Sequence, residues 1–329
     1  MQKNINTDTK DLFVGIDLGG TFVKIGCFSE KMEMLSKISI PTDNDRPKAT
    51  MNSVVNALGS LLSQAGLRME DIKAAGIGCP GVLDTKKGMI ITSPNLPVYK
   101  GFSISRYVSE KINAPCILEN DANVAGWGEY VLGAAEDVDD MVLLTLGTGI
   151  GGAVITDGKL IHGAGNSASE LGHIIIYPEG RECGCTQRGC AETYASASAT
   201  AKRANEMLAE GAASSLQDIF IERGDVSCKE VYEHASQGDR FAYEITELTA
   251  KVIGLLCVNI FSYSNPDKIV FSGGMIAAGQ ALLDRISFYF NKFIRKDIDV
   301  KIEFCFANLR EDSGIIGSAA LARDTFCLV

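Results

Sequence analysis

Four residues with metal-binding side chains lie close together in the chain: His173, Cys183, Cys185 and Cys190. One imidazole and three thiolates form the donor set of a closed tetrahedral zinc site, and the Cys-x-Cys-x4-Cys spacing holds three of them in one loop with Gly184 and Gly189. Four protein ligands leave no open coordination position, so the expected metal is structural. Glu170 lies three residues before His173 and shares a face with it if that turn is helical. An imidazole that binds metal through one nitrogen can turn the other toward a ligand. Glu192 follows directly after the cysteine loop. Carboxylates and an imidazole held this way suit a hydroxyl-rich ligand such as a sugar. His162 and His234 have no comparable company and read as surface residues.

A second chemistry lies in two similar stretches. Phe13–Phe28 reads as a strand, the turn Asp17-Leu18-Gly19-Gly20-Thr21 and a second strand that carries Lys24. Met141–Thr156 repeats the layout around Gly147, Thr148 and Gly149, with Leu18 matching Leu146 and Gly19 matching Gly147. An internal repeat of this kind implies two similar halves. Gly19 and Gly20 are expected to turn at positive φ, aligning backbone N–H groups that can cradle phosphate. Asp17 offers a carboxylate to Mg²⁺. Glu119-Asn120-Asp121-Ala122-Asn123 follows a short strand, where α/β active sites sit. Asp121 there is a candidate general base for a hydroxyl that attacks a phosphoryl group. Asn120 or Asp121 could equally serve as a helix N-cap.

Composition limits the alternatives. The chain has 329 residues, 46% hydrophobic and 22% charged, with a net charge of −10. That length fits two domains. The acidic balance argues against a nucleic-acid surface. No apolar run reads as a membrane span. Met1–Asp11 is polar and reads as lacking a leader peptide. Cysteines scattered among apolar residues point to a reducing cytoplasmic compartment. Matches to G-x-G-x-x-G begin at Gly76 and Gly147, but no helix follows the glycines, so a dinucleotide fold is rejected.

Along the chain, strands are expected at Met34–Ile40, Ile72–Gly78, Gly88–Asn95, Pro115–Leu118, Lys268–Phe271 and Val300–Phe306. Helices are expected at Ala49–Ala65, Ile104–Lys111, Tyr194–Ala209, Phe241–Ser262 and Ser313–Arg323, with a further helix after Asp121. Val82–Gly88 reads as a polar turn, and Ala213–Asp239 as a helical insertion without clear chemistry.

The pieces DLGGT (17–21), GIGCPG (76–81), ENDAN (119–123), LGTGIGG (146–152), ELGH (170–173), CGCTQRGCAE (183–192) and SGG (272–274) span nearly the whole chain. Together they resemble the ROK family within the actin-like ATPase superfamily, and most of all its glucokinases. The resemblance implies an α/β fold of two ribonuclease-H-like domains with a cleft between them. The smaller would comprise residues 1–118 with 310–329, and the larger, 119–309, would carry the zinc loop. It implies transfer of the γ-phosphate of ATP–Mg²⁺ to the 6-hydroxyl of glucose. Asp121 would take the hydroxyl proton. Gly81, Asn120, Asp121, Glu170, His173 and Glu192 would bind the sugar. Asp17, Gly19, Gly20, Thr21, Lys24, Gly147, Thr148, Gly149, Gly273 and Gly274 would bind the nucleotide, the last two near adenosine. A homodimer is implied as well. The same family includes N-acetylglucosamine and N-acetylmannosamine kinases, fructokinases and sugar-sensing repressors. The family usually has glycine after the second cysteine, where this chain has Thr186.

Overall fold

The computed structural model describes residues 11–327. The polar segment read for a leader lies outside the described residues except for Asp11. The chain divides into two units. The first takes in the chain up to Glu136, Leu160–Ala168 and the chain from Asn308 onward; the second comprises Asp137–Lys159 and Ser169–Ala307.

In the first unit, β1 (Leu12–Leu18) and β2 (Phe22–Ser29) form the expected hairpin, in register from Leu12 opposite Ser29 to Leu18 opposite Val23. Next come β3 (Met34–Pro41) and β4 (Ile72–Cys79), then a separate ribbon of β5 (Val82–Asp84) and β6 (Met89–Thr92), then β7 (Cys116–Asn120). The main sheet runs β3-β2-β1-β4-β7, with β4 parallel to both β1 and β7. The Val82–Gly88 stretch is thus partly strand, because Val82–Asp84 pairs with Met89–Thr92 across the turn.

Side chains alternate between the two faces of this sheet. Leu12, Val14 and Ile16 join one core cluster with α1 (Pro47–Gln64) and α2 (Ile104–Ile112). Val54, Leu58, Leu61 and Leu62 form the buried stripe of α1. Phe13, Phe28 and Ala74 lie in another cluster with Ile315, Ala319 and Trp127. These last come from α3 (Asp121–Leu132) and the C-terminal helix Ser313–Cys327. Contact on that face is backbone to backbone. A Cβ on Gly15 would lie 1.8 Å from the Ile315 carbonyl oxygen, one on Gly76 1.9 Å from that of Ser318, and one on Gly317 1.6 Å from that of Val124. The expected boundary at 118 is therefore corrected. Residues 119–136 belong to the first unit, because β7 completes its sheet and α3 packs on the C-terminal helix.

The second unit repeats the plan. β8 (Met141–Leu146) and β9 (Ile150–Thr156) form a hairpin, and β10 (Lys159–Leu160) edges it. β11 (Lys268–Ser272) and β12 (Glu303–Phe306) complete the order β10-β9-β8-β11-β12, both added parallel. The helix expected over Tyr194–Ala209 is two, α4 (Glu192–Ala195) and α5 (Ala197–Ala209). The chain is extended at Ser196, whose hydroxyl accepts the Ala199 N–H at 3.1 Å, while the Ala197 N–H donates to the Gly147 carbonyl at 2.8 Å. α6 (Gln217–Arg223), α7 (Cys228–Ser236), α8 (Arg240–Ser264) and α9 (Gln280–Phe293) follow. α9 was not anticipated, though its buried Leu282, Leu283, Ile286 and Phe290 fall at helical spacing. Contrary to the reading that no segment is long and apolar enough for a span, α8 meets that length and composition test. Of its most apolar window, 56% is buried, in a cluster with β8, β11 and α9, which makes it a core helix.

Prediction from this packing: Gly317→Ala, forced against Val124, should cost more than the ~1–3 kcal/mol of ordinary overpacking, read as a large fall in melting temperature. Gly59→Ala in α1 meets nothing within 4 Å and should raise stability by about 0.5–1 kcal/mol.

Candidate functional site

In the first unit the candidate residues converge on the carboxyl end of β7 and the β1–β2 turn. Asn120 is the N-cap of α3: its side-chain oxygen accepts from the N–H groups of Ala122 at 2.9 Å and Asn123 at 3.2 Å. The cap is therefore Asn120, which leaves Asp121 as the first helical residue. The Asn120 amide also donates to the Gly81 carbonyl at 3.4 Å. Gly81 has φ +108, and a Cβ there would meet Thr92 and Ser93. Asp121 is exposed by surface area. The protein packed around its carboxyl nevertheless raises its pKa, an effect that N–H donation from Ala122 opposes. Burial also raises the pKa of Asp17, with Lys24 opposing and Asp121 adding to the rise, so the two acids lie close enough to repel.

The first glycine turn is closed by the Gly19 N–H on the Phe22 carbonyl at 3.1 Å, and Thr42 donates to the Gly19 carbonyl at 2.7 Å. Thr21 is exposed. Neither Gly19 nor Gly20 adopts the positive φ expected of it. A Cβ on Gly19 would lie 3.0 Å from the Phe22 carbonyl oxygen, whereas one on Gly20 would make an ordinary contact with Asn95 at 3.4 Å. Asp17 abuts Gly314, whose Cβ would lie 2.9 Å from the Asp17 carboxyl. Lys24 donates to the Glu311 carbonyl at 2.9 Å, which binds β2 to the start of the C-terminal helix.

In the second unit His173, Cys183, Cys185 and Cys190 meet, with ligand atoms all within 4.8 Å of one another. His173 Nδ1 lies 3.6 Å from Cys183 Sγ, and Cys185 Sγ lies 3.7 Å from Cys190 Sγ. Thiolates about 2.3 Å from a tetrahedral zinc stand about 3.7 Å apart, so these residues fit such an ion. With Nδ1 toward the thiols, His173 Nε2 faces outward, 4.0 Å from Glu170 Oε2. The turn Leu171–His173 is a short 3₁₀ helix, which gives Glu170 and His173 their common face. Glu192 opens α4, and its Oε2 accepts the Ile150 N–H at 2.8 Å. That approach requires Gly149, where a Cβ would lie 2.3 Å from the same oxygen. The Gly147 N–H donates to the Gly149 carbonyl at 3.0 Å and closes the second turn around Thr148.

Gly273, at φ +89, packs on the Leu146 carbonyl, where a Cβ would come within 2.5 Å. Gly274 lines a cavity of about 550 Å³ with Tyr232, Tyr243, Ala250, Met275 and Leu282. Glu247 and Arg285, which form an ion pair, also line it, and Tyr289 donates to Glu247 at 2.8 Å. A groove that shares Ala197, Cys228 and Lys229 with this cavity reaches Thr148. Sequence reasoning missed these walls. α7 belongs to the insertion that carried no recognisable chemistry, and α9 was not foreseen. It also misread His162, which bonds the buried Glu119 at 2.7 Å. His234 bonds Ser215 at 2.6 Å.

Two similar sheets, each with a glycine-turn hairpin, define a duplicated α/β architecture, and the second unit carries the His/Cys₃ loop. The ROK family model matches residues 13–325, and the chain belongs to that family. It is 34% identical to a glucokinase of Halalkalibacterium halodurans over 94% of both chains. It is 28% identical to an N-acetylmannosamine kinase of Escherichia coli over 94% of this chain and 98% of that one. Among solved structures it is similar to a ROK hexokinase from Thermus thermophilus, with TM-score 0.82 and 29% identity over 94% of this chain and 97% of that one. It is also similar to a ROK family glucokinase from Streptomyces griseus in complex with glucose and AMPPNP, with TM-score 0.75 and 30% identity over 95% of this chain and 99% of that one.

The metal loop yields a prediction. Thr186, where the family usually has glycine, sits at φ +74, a conformation that strains a β-branched residue by about 1–3 kcal/mol. Thr186→Gly should raise the melting temperature and leave bound metal, measured by atomic emission, unchanged.

Proposed function

We propose that the protein is an ATP-dependent hexose kinase of glucokinase type, which transfers the γ-phosphate to the sugar 6-hydroxyl. The observation that carries this reading is the apolar cavity beside Gly274, joined by a groove to Thr148. That arrangement suits a nucleobase at one end and phosphates at a glycine turn at the other. The full-length similarity to a glucokinase supplies the sugar.

In this reading Gly81, Asn120, Asp121, Glu170, His173 and Glu192 bind the hexose. Asp121 accepts the proton as the 6-oxygen bonds to the γ-phosphorus and the bond to the β-phosphate oxygen breaks, releasing ADP. Gly19, Gly20 and Thr21, and Gly147, Thr148 and Gly149, form the phosphate turns; the Gly19 and Gly147 N–H groups close the turns internally, which leaves the N–H groups of Gly20, Thr21, Thr148 and Gly149 to face phosphate charge. Asp17 would hold Mg²⁺, which neutralises phosphate charge when bound. Zinc in the His173, Cys183, Cys185 and Cys190 set would keep the His173 ring turned toward the sugar. A cytoplasmic location and a homodimer belong to the same reading.

Four measurements test it. A panel of glucose, fructose, N-acetylglucosamine and N-acetylmannosamine with ATP and Mg²⁺ should give highest kcat/KM for glucose; turnover of none of them would overturn the reading, and preference for an acetamido sugar would favour the N-acetylhexosamine alternative. Asp121→Asn should abolish turnover while leaving glucose binding, followed by calorimetry, largely intact. Because the Asp121 pKa is raised, the active carboxylate is lost as pH falls through a midpoint above the ordinary 3.8, and kcat/KM should drop there. Cys190→Ser should lose the bound metal and raise the KM for glucose more than that for ATP.

A further inference from the structure

We propose that Glu119 and His162 form a positioning pair that sets the direction of Asp121, an assignment that rests on the kinase reading above. Glu119 is the penultimate residue of β7 and is 5% exposed. One of its oxygens, Oε1, accepts the Asn120 N–H at 2.8 Å and the Asn123 side-chain amide at 2.9 Å. It thereby ties the end of the strand to the first turn of α3. Asp121 lies within that turn, its carboxylate held by the Ala122 N–H at 3.0 Å, so its direction follows the backbone that Glu119 fixes.

The other oxygen, Oε2, receives His162 Nε2 at 2.7 Å. A carboxylate this buried is costly unless both oxygens are satisfied, and His162 is the partner that satisfies the second. The Glu119 hydrogen bond raises the His162 pKa, and the Leu160 carbonyl adds in the same direction, which favours the charged ring. His162 is held in turn. Gly163 turns at φ +70, and the Ala168 N–H donates to the His162 carbonyl at 3.1 Å, closing the segment into a loop of the first unit. Removing the imidazole leaves half of a buried carboxylate without its partner, and the cheapest relief is movement of the Asn120–Asp121 turn. A misplacement of about 1 Å at a reacting group can cost about a hundredfold in rate.

The test uses the full-length protein with ATP, Mg²⁺ and glucose, reading kcat and KM, with glucose Kd by calorimetry and folded content by circular dichroism. Turnover by the unmodified protein is the control for the kinase reading itself. His162→Ala should lower kcat by about ten- to a hundredfold, a larger factor than any accompanying rise in glucose Kd. His162→Gln, whose amide can still donate to Oε2, should recover much of kcat, and the shorter His162→Asn should recover less. If His162→Ala does not fold, the ordering of Gln over Asn decides. Unaltered kcat in folded His162→Ala, equal wild-type kcat in the Gln and Asn variants, or loss of activity only in proportion to lost folded protein would overturn the pair's role.

Discussion

The contact of the C-terminal helix with β1, β4 and α3, through glycines on both sides, is the constraint on which the first unit depends. At Gly15, Gly76 and Gly317 the facing carbonyl oxygens come within 1.6–1.9 Å of where a Cβ would stand. No side chain can occupy such a gap, so the separation is set by backbones, the least adjustable part of the fold. Two acids depend on it. Asp17 at the end of β1 lies against Gly314, and Asp121 opens the helix whose Gly128 meets the Ser313 carbonyl and Gly317. Glu129 locks the same corner: it is fully buried and accepts from the N–H groups of Ala134, Asn308 and Leu309. The carboxylate ties the end of α3 to the chain that leads into the C-terminal helix.

The two halves share a sheet order but cover their sheets differently. The first spends its small residues on close helix–sheet approach. The second packs its sheet with the large apolar residues of α8 and α9, and the insertion contributes α7 to the wall of a cavity. The same hairpin plan thus mounts carboxylates in one half and stands beside an apolar hollow in the other.

Two of the non-glycine residues with positive φ stand beside candidate site residues. Ser169, at φ +70, directly precedes Glu170, and Thr186, at φ +74, lies between two of the clustered cysteines. Both are non-glycine residues in the left-handed region, which persists only when neighbouring contacts hold it. At Ser169 its carbonyl would lie 3.0 Å from a Cβ on Gly152, which leaves that strand no room for a larger residue. At Thr186 the N–H donates to the Cys183 carbonyl at 2.9 Å and closes the turn that gathers the thiols.

From sequence alone the duplication, the glycine turns, the His/Cys₃ set and the Asn120–Asp121 corner were legible, because each depends on residue type and short spacing. The hairpins and most helices followed from periodicity for the same reason. What the sequence could not reveal depends on neighbours distant in the chain. The absence of positive φ at Gly19 and Gly20, the domain to which residues 119–136 belong, the cavity walled by α7, α8 and α9, and the partnership of His162 with Glu119 were decided only by tertiary structure. A histidine 43 positions from its carboxylate leaves no local pattern, and only folding excludes the water that makes the pair matter.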